Sequence, residues 1–295
     1  MTFAYHAPHD LDEALATLAD LGERAQVLAG GTDVVVQYLR REIAPEHVVY
    51  LGGLDELRGR TAAAELVLGA LTTHRELADD PLVRMEYAGL AEAAGQIGGW
   101  QTQNAGTVGG NLCNASPAAD LPPSLLLADA RVTLRSASGE RDVPLAEFFI
   151  GRRRTARRPD ELVTAVTLSR PPAASGEAYL KLGRRRAMEI AIVGLAVRLA
   201  FADDGEVGDD GEVADARIAV CAASERPYRA DDAERALVGS RLEDDAVAEA
   251  GRLVAAAASP IDDVRASADY RRRVLEGMVA RAAQRCRERA LAAPA

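Results

Sequence analysis

Leucines at positions 11, 15, 18 and 21 recur at the three-to-four-residue spacing that lines one face of an α-helix, with acidic and small residues between them. The spacing predicts a helix over Leu11 to Leu21. Short apolar runs on either side, Phe3 to Tyr5, Ala25 to Leu28 and Val48 to Leu51, are of strand length, and a second helix is expected after Gly31. Together they describe a small α/β unit. From Leu54 to about Leu168 the expected strands are Leu66 to Leu68, Val132 to Leu134 and Val163 to Leu168. Helices are expected over Pro81 to Ile97 and Pro122 to Ala128. Each follows an aspartate and opens on a proline, where a missing amide proton costs little and a carboxylate can cap.

The stretch SRPPAASGE, Ser169 to Glu177, reads as a linker. Beyond it, Ala178 to Lys181, Ile192 to Phe201 and Ala216 to Ala222 have the character of strands, the last two joined by an acidic hairpin tip, ADDGEVGDDGEVAD. Two long helices close the chain: Ala230 to Ala257, with a break near Gly239, and Ile261 to Leu291. No internal repeat is visible. The fold class is α+β, divided into units at 1–55, 56–172 and 176–291, the last a three-stranded sheet plus helices.

Composition narrows the function classes. Of 295 residues, 48% are hydrophobic and 27% charged, and no apolar run reaches the roughly 20 residues that span a bilayer. The first residues lack a basic start followed by an apolar core, so no secretory signal is expected and a cytoplasmic location is. A formal charge of −10 opposes nucleic-acid binding. Cys113, Cys221 and Cys286 lie too far apart in sequence for a cluster-type ligand set and are expected to be reduced. His6, His9, His47 and His74 show no metal-ligand spacing and are read as surface or supporting residues. No nucleophile–base pattern is visible, so hydrolysis has no support, and no residue is assigned a catalytic or metal-binding role.

Two glycine-rich loops carry the chemistry. In AGTVGGNLCNASPAADLPP, Ala105 to Pro123, the segment Thr107 to Asn111 is read as a nest whose backbone amides turn inward on an oxyanion. In LAGGTDVVV, Leu28 to Val36, a turn at Gly30 and Gly31 leads to a helix capped by Thr32 or Asp33. Either loop alone fits ordinary strand-to-helix packing. Two of them fit one dinucleotide diphosphate clamped between subdomains. The G-x-G-x-x-G spacing of the Rossmann fold is absent, as is the lysine of a P-loop.

The segments VLAGGTDVVV, NAGTVGGNLCNASPAADLPPSLLLADARVTL, FFIGRRRTARRPDELV, YLKLGRRRAMEIAIVGLAV and DDVRASADYRRRV, in that order, resemble the FAD-binding medium subunit of molybdenum hydroxylases, the group that includes xanthine dehydrogenase and aerobic carbon monoxide dehydrogenase. The resemblance implies a two-subdomain FAD-binding fold (PCMH/vanillyl-alcohol-oxidase-like) followed by a C-terminal antiparallel sheet with helices. It implies that Val27, Leu28, Ala29, Gly30, Gly31, Thr32, Asp33 and Val34 hold the FAD diphosphate from one side and Thr107, Val108, Gly109, Gly110 and Asn111 from the other. Asp120 matches an aspartate that hydrogen-bonds the cofactor; helix capping is its other reading. Ile97 and Val163 match apolar residues of the adenine or flavin pocket and read otherwise as plain core. Lys181, the one lysine in the chain, matches a lysine near the flavin ring and reads otherwise as a surface residue.

Two positions depart from the family pattern. Arg152 stands where an aromatic is common, and Gln103 where an arginine is common. Arg152 belongs to GRRRTARR, five arginines in eight residues, which reads as a solvated basic loop or as a contact for an acidic partner or a phosphate-bearing acceptor. The resemblance further implies an FAD-carrying electron-transfer subunit that takes electrons from a [2Fe-2S] small subunit and passes them to NAD, quinone or oxygen. The molybdenum cofactor and iron-sulfur clusters would lie on partner subunits, the molybdopterin large subunit among them, in a dimer of heterotrimers. A free-standing FAD oxidase or reductase is the alternative enzyme and should keep an acid or base near the flavin. A non-catalytic nucleotide-binding assembly protein is the alternative outside enzymes, and a colourless preparation that refuses FAD would favour it.

Overall fold

The computed structural model describes residues 3–185, 187–202 and 211–292. Strand β1 (Ala4–His6), helix α1 (Leu11–Leu21), β2 (Ala25–Leu28), α2 (Val34–Leu39) and β3 (His47–Tyr50) form the expected first unit, a parallel sheet in the order β1-β3-β2. Asp10 caps α1 through the amide of Glu13, and the leucine face packs on the sheet with Val49, Leu51 and Leu54. Burial of that one apolar stripe is what holds an eleven-residue helix in place.

Next come β4 (Arg60–Ala62), β5 (Glu65–Gly69), a helical run α3 (His74–Asp79), α4 (Pro81–Glu86), α5 (Ala88–Gly95), α6 (Trp100–Ala105), α7 (Val108–Asn114) and α8 (Leu121–Leu127), then β6 (Arg131–Ser136), β7 (Gly139–Pro144), a short helix α9 (Leu145–Phe148), β8 (Phe149–Gly151), β9 (Arg154–Thr155) and β10 (Leu162–Ser169). Five of these strands form an antiparallel sheet ordered β4-β5-β10-β6-β7; β8 and β9 pair separately. The helix expected over Pro81 to Ile97 is broken at Tyr87, where φ −126° and ψ 52° leave the helical region. The buried Tyr87 ring, whose hydroxyl donates to Ser169 O at 3.2 Å, anchors the break, and Ile97 falls beyond α5.

The last unit holds β11 (Ser175–Leu182), β12 (Val193–Phe201), β13 (Val213–Cys221) and β14 (Tyr228–Arg229), antiparallel in that order, with α10 (Asp231–Leu237), α11 (Asp244–Ala257) and α12 (Ala268–Ala292). Three of its strands were expected; the two-residue β14 has no pattern to read. The expected break near Gly239 is present, at φ +80°. Helix α12 begins later than the expected Ile261, because the Asp263 carboxylate accepts from the amides of Arg265 and Ala266 and from Arg271, which fixes a loop there. The linker is shorter than its composition implies, since β10 runs through Ser169 and β11 starts at Ser175. Most of the acidic hairpin tip lies outside the described residues.

The second and third sheets are joined by a buried polar seam. Helices α5 and α8 pack against the last sheet, and Tyr179, Ala196 and Ala219 from that sheet complete the core of the second. Across the seam Glu177 Oε2 accepts from Gly89 N at 3.1 Å, and Glu92 Oε2 accepts from Tyr179 N at 2.9 Å. Burial pushes the Glu177 carboxyl up to about 7, against the pull of Arg198, whose nearest nitrogen is 4.0 Å away.

A carboxyl whose folded pKa lies above its unfolded one binds more protons when folded, so its contribution declines as pH rises from about 4.5 to about 7. Urea unfolding at pH 5 and pH 8 should show the wild type losing up to about 3 kcal/mol more than Glu177→Gln over that interval. Equal losses in the two proteins would refute this.

Candidate functional site

The first glycine loop leaves β2 at Leu28, whose carbonyl accepts from Leu51 N at 2.9 Å. Beyond that point, among the described residues, no backbone or side-chain acceptor meets the amides of Gly30, Gly31, Thr32, Asp33 and Val34. Five successive amide donors are therefore open in a loop that is at most partly buried. Gly31 turns at φ +74°, a conformation that glycine adopts without strain. Gly30 is required for another reason: a Cβ there would lie 1.6 Å from the carbonyl oxygen of Ala105, at the end of α6.

That contact brings the two glycine segments together, and side chains reinforce it. Asn114, the last residue of α7, donates from Nδ2 to Asp33 Oδ1 at 2.9 Å and accepts from Gln37 Nε2 at 3.2 Å. The Asp33 carboxylate thus bridges to the second segment, and neither it nor Thr32 makes the expected side-chain cap on α2.

The amide-nest reading of Thr107 to Asn111 does not survive. These residues form the cap and first turn of α7: Val108 N donates to Thr72 O at 2.9 Å, Gly109 N to Ala70 O at 2.8 Å, Gly110 N to Thr107 Oγ1 at 3.1 Å and Asn111 N to Thr107 O at 2.9 Å. Four amides are consumed by the fold. Gly109 is needed because a Cβ would come within 2.9 Å of Ala70, and Gly106 because one would meet the His74 ring at 2.9 Å. What this segment leaves for a ligand is the buried Asn111 Oδ1, which has no partner among the described residues. His74 is not a surface residue either. It is buried against Gly106, and burial lowers its pKa to about 4, so the ring is neutral near neutrality.

Asp120 and Lys181 meet. Lys181 Nζ donates to Asp120 Oδ2 at 2.8 Å and to Gln96 O at 3.1 Å, and Tyr179 OH donates to Asp120 Oδ1 at 2.6 Å. The lysine side chain is 6% exposed, which excludes the surface-residue reading, and Asp120 makes no capping bond to α8. Burial raises the Asp120 pKa, while the Lys181 ammonium and the two hydrogen bonds lower it. Lys181 also borders a cleft of about 540 Å³ lined by Gln96, Leu182, Arg281, Gln284 and Arg285. Tyr179 escaped the sequence reading, although YLKL places Tyr179 and Lys181 two apart on one strand and so on one face.

Val163 is core, 5% exposed beside a bulge in β10, while Ile97 is partly buried against the same core. Gln103 does not stand idle where an arginine was expected. Its Nε2 donates to Gly95 O at 2.8 Å and Ile97 O at 3.1 Å, pinning the turn that carries Ile97. In the arginine-rich loop, Arg152 and Arg153 form the turn between β8 and β9, with Arg152 N on Glu225 Oε1 and Arg153 N on Ala115 O. Arg158 pairs with the buried Glu161 at 3.1 Å, so part of the run is structural.

Known proteins resemble this chain along nearly its whole length. Residues 1–171 match the profile of the FAD binding domain in molybdopterin dehydrogenase, and residues 178–286 that of the CO dehydrogenase flavoprotein C-terminal domain. The carbon monoxide dehydrogenase medium chain of Afipia carboxidovorans is 32% identical over 290 residues, 98% of each chain. The putative xanthine dehydrogenase FAD-binding subunit of Escherichia coli is 31% identical over 93% of this chain and 92% of its own. Among solved structures, a chain of Cu,Mo-CO dehydrogenase superposes with a TM-score of 0.91 at 32% identity, covering 97% of this chain and 98% of its own. A chain of quinoline 2-oxidoreductase from Pseudomonas putida 86 does so at 0.90 and 27%, over 99% of both. With both profiles matched in order and full-length relatives in dehydrogenases, this chain belongs to the FAD-binding subunit family of the molybdopterin dehydrogenases, an oxidoreductase family.

Proposed function

We propose that the chain is the FAD-carrying electron-transfer subunit of a molybdenum hydroxylase complex. It takes electrons from a [2Fe-2S] small subunit and passes them to NAD, quinone or oxygen. The observation that carries the reading is the run of five open amides from Gly30 to Val34, held against the second glycine segment by Gly30 and Asn114. A dianionic diphosphate satisfies such donors without a cationic side chain. On this reading Val27 to Val34 hold the diphosphate, Thr107 to Asn111 support it through side chains and by shaping α7, Asp120 and Lys181 face the cofactor, and Ile97 and Val163 close its apolar sides.

When bound, FAD would supply the chemistry, accepting electrons one at a time and releasing them singly or in pairs. The polypeptide binds it, orients it and sets its field. Lys181 holds a positive charge that favours electron uptake nearby, and Asp120 moderates that charge while keeping the ammonium in place. The molybdopterin large subunit and the iron-sulfur subunit are the proposed partners, in a dimer of heterotrimers. The names of the medium-chain relatives support the presence of companion chains. Unit boundaries at 1–55, 56–172 and 176–291 are supported by three larger sheets, each with its own strands and a core drawn mainly from its own unit. Free Cys113, Cys221 and Cys286 support a reducing, cytoplasmic setting, and among the described residues no helix is long and apolar enough to cross a membrane.

The purified complex should show a flavin absorption spectrum, one FAD per chain, that bleaches with dithionite; a colourless complex that takes up no added FAD would overturn the reading. Gly30→Ala should drive a methyl group into Ala105 O, cost about 2 to 3 kcal/mol of stability, and bring FAD content below half of wild type. Full FAD occupancy in that variant would refute the loop contact. Lys181→Met should keep FAD but lower its midpoint potential, on the order of tens of millivolts. Without the ammonium the Asp120 pKa rises further, so the carboxyl is neutral at low pH and charged at high pH, and the drop should grow as pH rises. Redox titrations at pH 6 and 9 that match wild type would return Lys181 to a purely structural role.

A further inference from the structure

Tyr179 is placed with more care than packing alone requires. Its ring is 1% exposed and its hydroxyl lies 2.6 Å from Asp120 Oδ1 and 3.8 Å from Cys221 Sγ. The backbone makes room for it: a Cβ on Gly194 of β12 would sit 2.5 Å from the Tyr179 oxygen and 2.6 Å from Cys221 Sγ. Burial raises the pKa of both the phenol and the thiol, so both are neutral and the phenol has one proton to give. The carboxylate is the stronger acceptor and receives it.

The groups around the Asp120–Lys181–Tyr179 cluster come from three places. Lys181 and Tyr179 project from β11, Cys221 ends β13, and Gln96 supplies a carbonyl just after α5. Each Asp120 oxygen therefore has its own donor, on a carboxylate that is otherwise free to turn about its last bond.

We propose that Tyr179 is a positioning residue: its hydroxyl locks the Asp120 carboxylate in one rotation and so keeps Lys181 on the second oxygen and on Gln96 O, giving the bound FAD a carboxylate–ammonium pair in one fixed arrangement. This rests on the FAD assignment above. With the hydroxyl gone, Asp120 Oδ1 loses its donor, and the carboxylate no longer keeps Lys181 on the second oxygen and on Gln96 O. Phenylalanine keeps the ring volume, so packing is preserved while the lock is removed.

The test uses the intact complex stripped of flavin, as wild type, Tyr179→Phe, Asp120→Asn and the double variant. FAD affinity is measured by equilibrium titration, and Asp120 protonation by infrared spectroscopy with isotope-labelled aspartate between pH 4 and 9. Tyr179→Phe should weaken FAD binding about tenfold and raise Asp120 proton affinity about tenfold or more, the scale of one hydrogen bond to a charged group. In the Asp120→Asn background it should change FAD affinity less than about twofold, as expected when one residue acts through the other. A tenfold loss that persists in that background, or an unmoved Asp120 titration, overturns the proposal. If the titration moves while Asp120→Asn binds FAD normally, the lock on Asp120 stands and its assignment to the cofactor falls. If no protein in the set binds FAD, the infrared titration still decides the lock.

Discussion

A carboxylate removed from water must be answered by donors, and Asp120 is answered from a different sheet. It stands at the start of α8, in the second unit, yet both of its oxygens are held by residues of β11, in the third. The pair is therefore a seam as well as a site. Breaking one partner of a buried, hydrogen-bonded charge pair leaves the other uncompensated, which is costly, so the two units are held at the spacing that lets Lys181 and Tyr179 reach. Glu177, Glu92, Arg198 and Arg289 extend the same logic along the interface, with Arg289 on Glu92 at 2.5 Å. Placing polar chemistry at a junction makes its geometry sensitive to how the units sit.

The junction between the first and second units relies less on buried charge. At the glycine loops a bare glycine backbone lies against a carbonyl, and one asparagine holds an aspartate and a glutamine from the other side, while the ion pair of Arg135 with Asp12, at 3.0 Å, is exposed. The result is asymmetric. Among the described residues the run of open backbone donors belongs to the first loop, whereas the second spends the amides of Val108, Gly109, Gly110 and Asn111 on Thr72, Ala70 and Thr107 and provides shape. Glycine richness in the two loops thus has two causes, a left-handed turn at Gly31 and close approach of packed elements at Gly30, Gly106 and Gly109.

Much of the architecture was legible in the sequence because it rests on local periodicity. The leucine face of α1, the break at Gly239 and the long apolar strands β12 and β13 follow from patterns that tertiary contacts merely reinforce. Where the reading failed, non-local contacts decided. Nothing near Tyr87 announces that its ring will be buried and split a helix, and no spacing shows that Gly109 N donates to Ala70 O. At the candidate site, Asp120 and Lys181 were found through family motifs, 61 positions apart; the chain's own pattern did not pair them. Tyr179 was missed because a tyrosine on an apolar strand reads as core, which its ring is. Only its hydroxyl is not.

Strand β11 also lies at the margin of its sheet, where unpaired main-chain groups would ordinarily invite a neighbouring strand. Two of those groups are already taken, the Tyr179 amide by Glu92 and the Glu177 carbonyl by Arg289. Side chains thus plug the ladder along part of its length. That stretch of the edge is thereby guarded against pairing with the same strand of a second copy.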